Sequence, residues 1–153
     1  MLWVLGFMSN LVRGIAIPLF DKLSTNDESA KRGAFLLSPD QVHASICREL
    51  SRLFNTRSRL MPSEFAQSSG TTIDYGIPDF SAFSAERPED VAVIASGILQ
   101  AIGHYETRLS KVNVNVLAAP LRGDPARIIV SGNVTIGLEV QRLSFELQLN
   151  GQQ

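Results

Sequence analysis

The sequence predicts an α+β domain, with helices packed on one face of a small three-stranded antiparallel sheet. Two observations carry this. Apolar residues recur at helical spacing in two segments, one beginning near residue 38 and one near residue 88. From residue 112 the period drops to two, and three alternating runs follow with turn-forming residues between them. At 153 residues the chain suffices for one ordinary core.

Residues 1–34 read as an apolar segment followed by a polar linker, and 35–153 as a single domain. MLWVLGFMSNLVRGIAIPLF is apolar, but no basic residue opens it and Arg13 interrupts it. It falls short of the ~18 uninterrupted apolar residues of a membrane span, so direct membrane insertion is not expected. Met8 offers a second start. The linker STNDESAKRGA is small and polar.

The first helix should begin at SPDQ, where Ser38 caps, Pro39 suits the first turn and Asp40 meets the positive end of the dipole. Val42, Ile46, Leu50, Leu53 and Phe54 form its apolar stripe, and it should stop near Asn55. Residues 56–87 keep no period and carry Pro62, Gly70, Gly76 and Pro78, which predicts a long irregular loop of the kind that serves function or a partner. Its stretch Tyr75, Gly76, Ile77 and Pro78 is expected to be a docking element that orders mainly against a partner. The second helix starts near Pro88, with Val91, Ile94, Ile98, Ile102, Tyr105 and Leu109 on one face. Ser96, Gln100, His104 and Thr107 lie opposite. If that helix runs on to Leu109, Glu106 falls inside the apolar stripe.

VNVNV at 112–116 turns Val112, Val114 and Val116 one way and Asn113 and Asn115 the other. APLRGDP leads to a second strand over 127–138. A third follows at 142–149, with Leu143, Phe145, Leu147 and Leu149 on one face. Short connections favour a meander, which makes 112–116 an edge strand. That edge carries no proline, inward charge or expected bulge, only Lys111 before it, and an open edge can accept a strand from another chain.

Fourteen basic against fifteen acidic residues leave a net charge of −1, which leaves no electrostatic footprint for nucleic acid. The single cysteine, Cys47, excludes an internal disulfide framework and fits a reducing compartment. It reads as a packed thiol, since neither histidine is obviously placed to activate it. His43 and His104 belong to different helices, so no metal site is expected. Phosphate-binding glycine loops and a serine elbow are missing, and no cofactor is expected.

HYETRLSK at 104–111 holds the one suggestive charge constellation. A carboxylate among apolar residues is the kind of group that serves as general acid in glycosidases, but it needs a second carboxylate across the bond. Only Asp74 and Asp79 are candidates, and nothing in the sequence sets either opposite Glu106. Arg108, two residues on, favours a semi-buried Glu–Arg pair tying helix end to sheet. Catalytic residues are therefore not expected.

LFNTR at 53–57, TTIDYGIPDF at 71–80 and HYETRLSKVNVNV at 104–116, in this order and before a closing sheet, resemble the family of contractile-tail baseplate wedge proteins. Its bacterial branch is the TssE subunits of type VI secretion systems. PLFDKL at 18–23 is similar to the leader of many members, and the resemblance runs over residues 18–149. The family signature is Glu-Pro-Arg after an aromatic residue. Tyr105, Glu106 and Arg108 match it, while Thr107 stands where the family has proline. The resemblance implies a structural, non-enzymatic role in joining the baseplate wedge and seeding the contractile sheath. It implies TssF, TssG, TssK and the TssB–TssC sheath as partners, in a large hetero-oligomer at the cytoplasmic face of the inner membrane. It implies a structural role for Glu106 and Arg108 in the sheath and wedge interaction, with Tyr105 as the signature aromatic, and Val112, Val114 and Val116 are assigned to the same interaction from the open edge of their strand. Some members have been labelled lysozyme-like, and the alternative is a peptidoglycan hydrolase with Glu106 as general acid.

Overall fold

The computed structural model describes residues 39–118, 126–136 and 138–149. The expected N-terminal segment and linker, the Ser38 cap and the side chains of Gln148 and Leu149 lie outside the described residues. Helix α1, Pro39–Phe54, buries Val42, Ile46, Leu50 and Leu53 along one stripe, with Asp40 in its first turn and Arg52 in its last. A short helix α2, Pro62–Phe65, and a 3-10 turn, Thr72–Asp74, punctuate the segment that follows. Helix α3, Pro88–Tyr105, is buried along Ile94, Ile98, Ala101 and Ile102.

The sheet is an antiparallel meander in the order β1-β2-β3, with β1 Leu109–Leu117, β2 Ala126–Ile136 and β3 Glu139–Leu149. Register sets the inward face in rows across the three strands: Val116, Ile128 and Leu147 make one, and Val114, Val130 and Phe145 the next. Asn113 and Asn115 face outward and are exposed. Helix α3 packs on β1 and α1 reaches β3, so the helices cover one face of the sheet, as expected. The core lies between the layers. β3 begins at Glu139, three residues before the expected start, because the β2–β3 register continues to the pair Ile136↔Glu139.

Three sequence expectations change. Helix α3 stops at Tyr105, and Leu109 opens β1. Glu106 is buried at 3 % exposure because the chain turns inward after the helix, not because it continues the helical stripe. Next, β1 does contain a bulge. Ser110 pairs with Asn133 and Asn113 with Ser131, so Lys111 and Val112 stand against Gly132 alone. Lys111 takes φ +49° there. The extra residue lets Leu109 and Val112, three apart, both turn inward, and their methyl groups lie 3.5 Å from where a Cβ on Gly132 would stand. The bulged residue is a lysine, and the signal the sequence did carry was Gly132, an isolated glycine in the facing strand.

Residues 56–87 are the third change. They are packed in the chain by itself, with Phe65, Ile77 and Phe80 at 0–1 % exposure. Each such side chain contributes roughly 1.5–3 kcal/mol on burial, which anchors the segment to the core. Phe80 lies so close to α3 that a Cβ at Gly97 would stand 2.8 Å from its ring. Gln100, expected on the open side of α3, donates to the carbonyls of Phe65 at 2.8 Å and Ser68 at 3.5 Å. His104 is half-buried beneath Gly70, whose φ of +72° brings its backbone onto the imidazole.

Candidate functional site

The end of α3 builds the site. Glu106 is the C-cap, with φ −123° and ψ 69°, and its N–H still donates to Ile102 O at 2.8 Å. Leu109 N returns to Glu106 O at 3.2 Å, which closes a four-residue turn with Thr107 second. The chain thus reverses from helix into β1 within three residues. Thr107 in place of proline does not prevent the turn.

Inside the turn the Glu106 carboxylate is gripped from one side by Arg108. Arg108 Nε donates to Oε1 at 2.7 Å and Nη2 to Oε2 at 2.5 Å, a bidentate fork. Arg108 N also donates to Oε1 at 3.2 Å. The remaining guanidinium arm, Nη1, donates to Ser45 Oγ on α1 at 2.9 Å. The two charged side chains are 9 % and 4 % exposed, and Ser45 is 2 %. Sequence reasoning found the pair but missed Ser45. Its one signal was a polar residue beside Ile46 on the apolar stripe of α1.

Tyr105 joins this clasp to the loop. Its hydroxyl donates to Thr71 O at 2.9 Å, and its ring meets that of Tyr75 edge-on at 5.0 Å. Burial pushes both tyrosine hydroxyls up from their ordinary value; the Glu49 and Glu106 carboxylates add to this at Tyr75 and Asp74 at Tyr105. Beyond Tyr75 the chain runs beside residues 56–58. Ile77 N donates to Thr56 O and Ser58 N to Ile77 O, each at 2.9 Å. Gly76, at φ +119°, fits because a Cβ would stand 2.5 Å from Thr56 O. Ile77 and Pro78 are buried, leaving the half-buried Tyr75 and the exposed Ile73 on the outside.

The chemistry of an acid catalyst is poorly served here. Both Glu106 oxygens are occupied by a guanidinium. Asp74 accepts from Thr71 Oγ1 at 2.5 Å and forms an ion pair with Arg59, Nε to Oδ1, at 3.5 Å. Asp79 is exposed and accepts from Ser81 N, which holds its carboxyl below the ordinary range. His43 does approach Cys47, at 3.9 Å one helical turn apart, and that spacing was legible in the sequence. Burial nevertheless pushes the thiol up, against the pull of Arg48, so it is not an activated nucleophile. Among the described residues, no cluster of three or more His, Cys, Asp or Glu could hold a metal ion, and no helix is long and apolar enough to cross a membrane.

The residues assigned to interaction fall into two kinds. Glu106 and Val116 are buried, Arg108 and Tyr105 are half-buried, and Val112 and Val114 turn their half-buried side chains toward the helix layer. Among the described residues the edge of β1 away from β2 pairs with no other strand, and its backbone is regular from Asn113 to Leu117.

The family model of the baseplate wedge protein gp25 matches residues 40–137, well over half the chain. The chain belongs to that family. The matched span of this gp25-family domain opens one residue into α1 and closes one residue past β2, and so contains the clasp, the loop and the bulged strand. A chain in a solved structure titled "The baseplate complex from the type VI secretion system" is similar, with a TM-score of 0.49 and 19 % identity over 72 % of this chain and 96 % of that one. No curated protein matches the gp25-family chain in sequence.

Proposed function

We propose that the chain is a structural subunit of a type VI secretion baseplate, of the TssE kind. In this reading it joins the wedge and seeds polymerisation of the contractile sheath at the cytoplasmic face of the inner membrane. Membership of the baseplate wedge family is the observation that carries it. The clasp supports it further: a carboxylate with both oxygens bound by a buried guanidinium suits a fixed joint better than a reacting acid. Its partners are TssF, TssG and TssK in the wedge and the TssB–TssC sheath.

The clasp acts from inside. By fixing the turn from α3 into β1, Glu106 and Arg108 set the direction in which the β1 edge leaves the core. Tyr105, braced on Tyr75 and Thr71, fixes the adjoining loop, whose exposed Ile73 and half-buried Tyr75 serve docking. The edge at 113–117 then offers main-chain donors and acceptors to an extended sheath strand, with Val112, Val114 and Val116 keeping its inner face seated.

Affinity purification of the tagged chain from its own cells, with mass spectrometry of what accompanies it, tests this reading. Wedge and sheath proteins should accompany the wild type, and sheaths should fail to assemble with Glu106→Ala. Hydrolysis of peptidoglycan by the purified protein, lost in Glu106→Gln, would overturn it in favour of a lysozyme-like enzyme.

A further inference from the structure

The bulge in β1 is not required by the packing of the sheet. With Lys111 taken out, the strand would read LSVNVNV from Leu109 to Val116, and its alternation would be unbroken. Leu109 would keep Val134, Ser110 would keep Asn133, Val112 would face Gly132 and Asn113 would keep Ser131. The same apolar side chains would turn toward the helices. Lys111 is thus a surplus residue, and it sits at φ +49°, a left-handed conformation that glycine or asparagine adopts more readily. An insertion that is strained and unneeded for packing points to a role outside the core.

Its position shows what that role is. Among the described residues no strand pairs with the far edge of β1, and a bulge breaks the ladder of donors and acceptors where it occurs. Beyond it the edge is regular over the five residues from Asn113 to Leu117, about 17 Å of ladder. Lys111 is exposed at the head of that ladder and is the only charge in β1. It enters none of the ion pairs among the described residues.

We propose that the bulge is a register stop, and Lys111 a specificity residue, for the strand that this edge accepts. The inference rests on the baseplate reading, in which an extended sheath segment adds to β1. The stop confines the added strand to 113–117, with apolar side chains beside Val114 and Val116 and polar ones beside Asn113 and Asn115. At the stop, a carboxylate of the segment pairs with the Lys111 ammonium. A slip of one residue would turn the apolar side chains outward, and a slip of two would carry the carboxylate about 7 Å from the cation. An exposed pair adds little affinity, so its use lies in choosing the register.

A test uses the full chain in its own cells, with a photo-crosslinking residue placed singly at Asn113, Asn115 or Ser110. Sheath protein should be captured from 113 and 115 but not from 110, which lies beyond the stop. The captured peptide should carry an aspartate or glutamate at its end nearest Lys111. Deletion of Lys111 should leave the domain folded, with a thermal midpoint no lower than that of the wild type, and should extend capture to 110. Lys111→Glu should lower the number of sheaths per cell roughly fivefold, as loss of an exposed ion pair allows, and Lys111→Arg should not. Capture from 110 equal to that from 113 would overturn the stop and leave the baseplate reading standing. Sheath numbers indifferent to Lys111→Glu would overturn the part given to the cation. A deletion variant that fails to fold would overturn the premise that Lys111 is surplus, and capture of the chain's own residues would assign the edge to the chain itself. If neither wedge nor sheath proteins accompany the tagged chain, the baseplate reading falls and this inference with it.

Discussion

At the scale of single residues, the guanidinium of Arg108 is fully committed, with three of its nitrogens bonded to Glu106 and Ser45. Removing one member of a buried pair leaves the other charge without a partner. Glu106→Ala and Arg108→Ala should therefore each cost about 3–5 kcal/mol in urea unfolding. The double variant should lie well short of their sum, and simple additivity would mean that the pair is not coupled. Ser45→Ala should cost about 1–3 kcal/mol, because a buried donor of Arg108 loses its acceptor. The Glu–Arg pair was legible in the sequence because its members lie two apart. Ser45 stands sixty-three positions from Arg108, and no local pattern joins residues so distant.

Among the elements, the loop between α1 and α3 depends on backbone that only glycine supplies cheaply. Gly76→Ala should be the worse of two substitutions, since its new Cβ meets the main chain of Thr56 at 2.5 Å. The positive φ alone costs roughly 1–3 kcal/mol. Gly70→Ala meets His104 Cγ and, at 2.7 Å, its Cβ; the ring can turn but Cβ is held by α3, so this variant also destabilises, though less than one that meets main chain. Equal unfolding midpoints for the two variants would contradict this order. The turn after α3 gives the opposite sign. Thr107 is second in a hydrogen-bonded turn, where proline is favoured, and Glu106 before it is already outside the helical region. Thr107→Pro should stabilise by about 0.4–1 kcal/mol, read as a raised midpoint with unchanged slope. Helix and strand periods made these elements readable. The loop's packing was not, because Phe65, Ile77 and Phe80 reach the core without any repeat, and the bulge rests on a lysine that no turn rule marks.

Across the whole molecule, the only two tyrosines, Tyr75 and Tyr105, meet at the junction of loop, helix and clasp. Phenolate absorbance therefore reports on that junction alone. Both hydroxyls are raised in the folded chain by burial, so the unfolded chain gives up these protons first. Their contribution is fully present below the ordinary value near 10 and is lost as pH rises through the folded values. Phenolate absorbance should therefore appear at higher pH in the folded chain than in the chain unfolded in urea, and coincident titration curves would contradict this. The fold class followed from periodicity alone, whereas the way loop and clasp meet depends on tertiary packing. That packing also bears on the order of folding. The β2–β3 hairpin joins near neighbours and can form early, but the Arg108–Ser45 bond closes a loop of sixty-three residues and should form late. Ser45→Ala should then speed unfolding while leaving the refolding rate nearly unchanged, and a slowed refolding limb would contradict it. If the clasp closes last, the direction of β1 is set only in the finished chain, and on the function proposed above partly folded copies would lack the edge that docks.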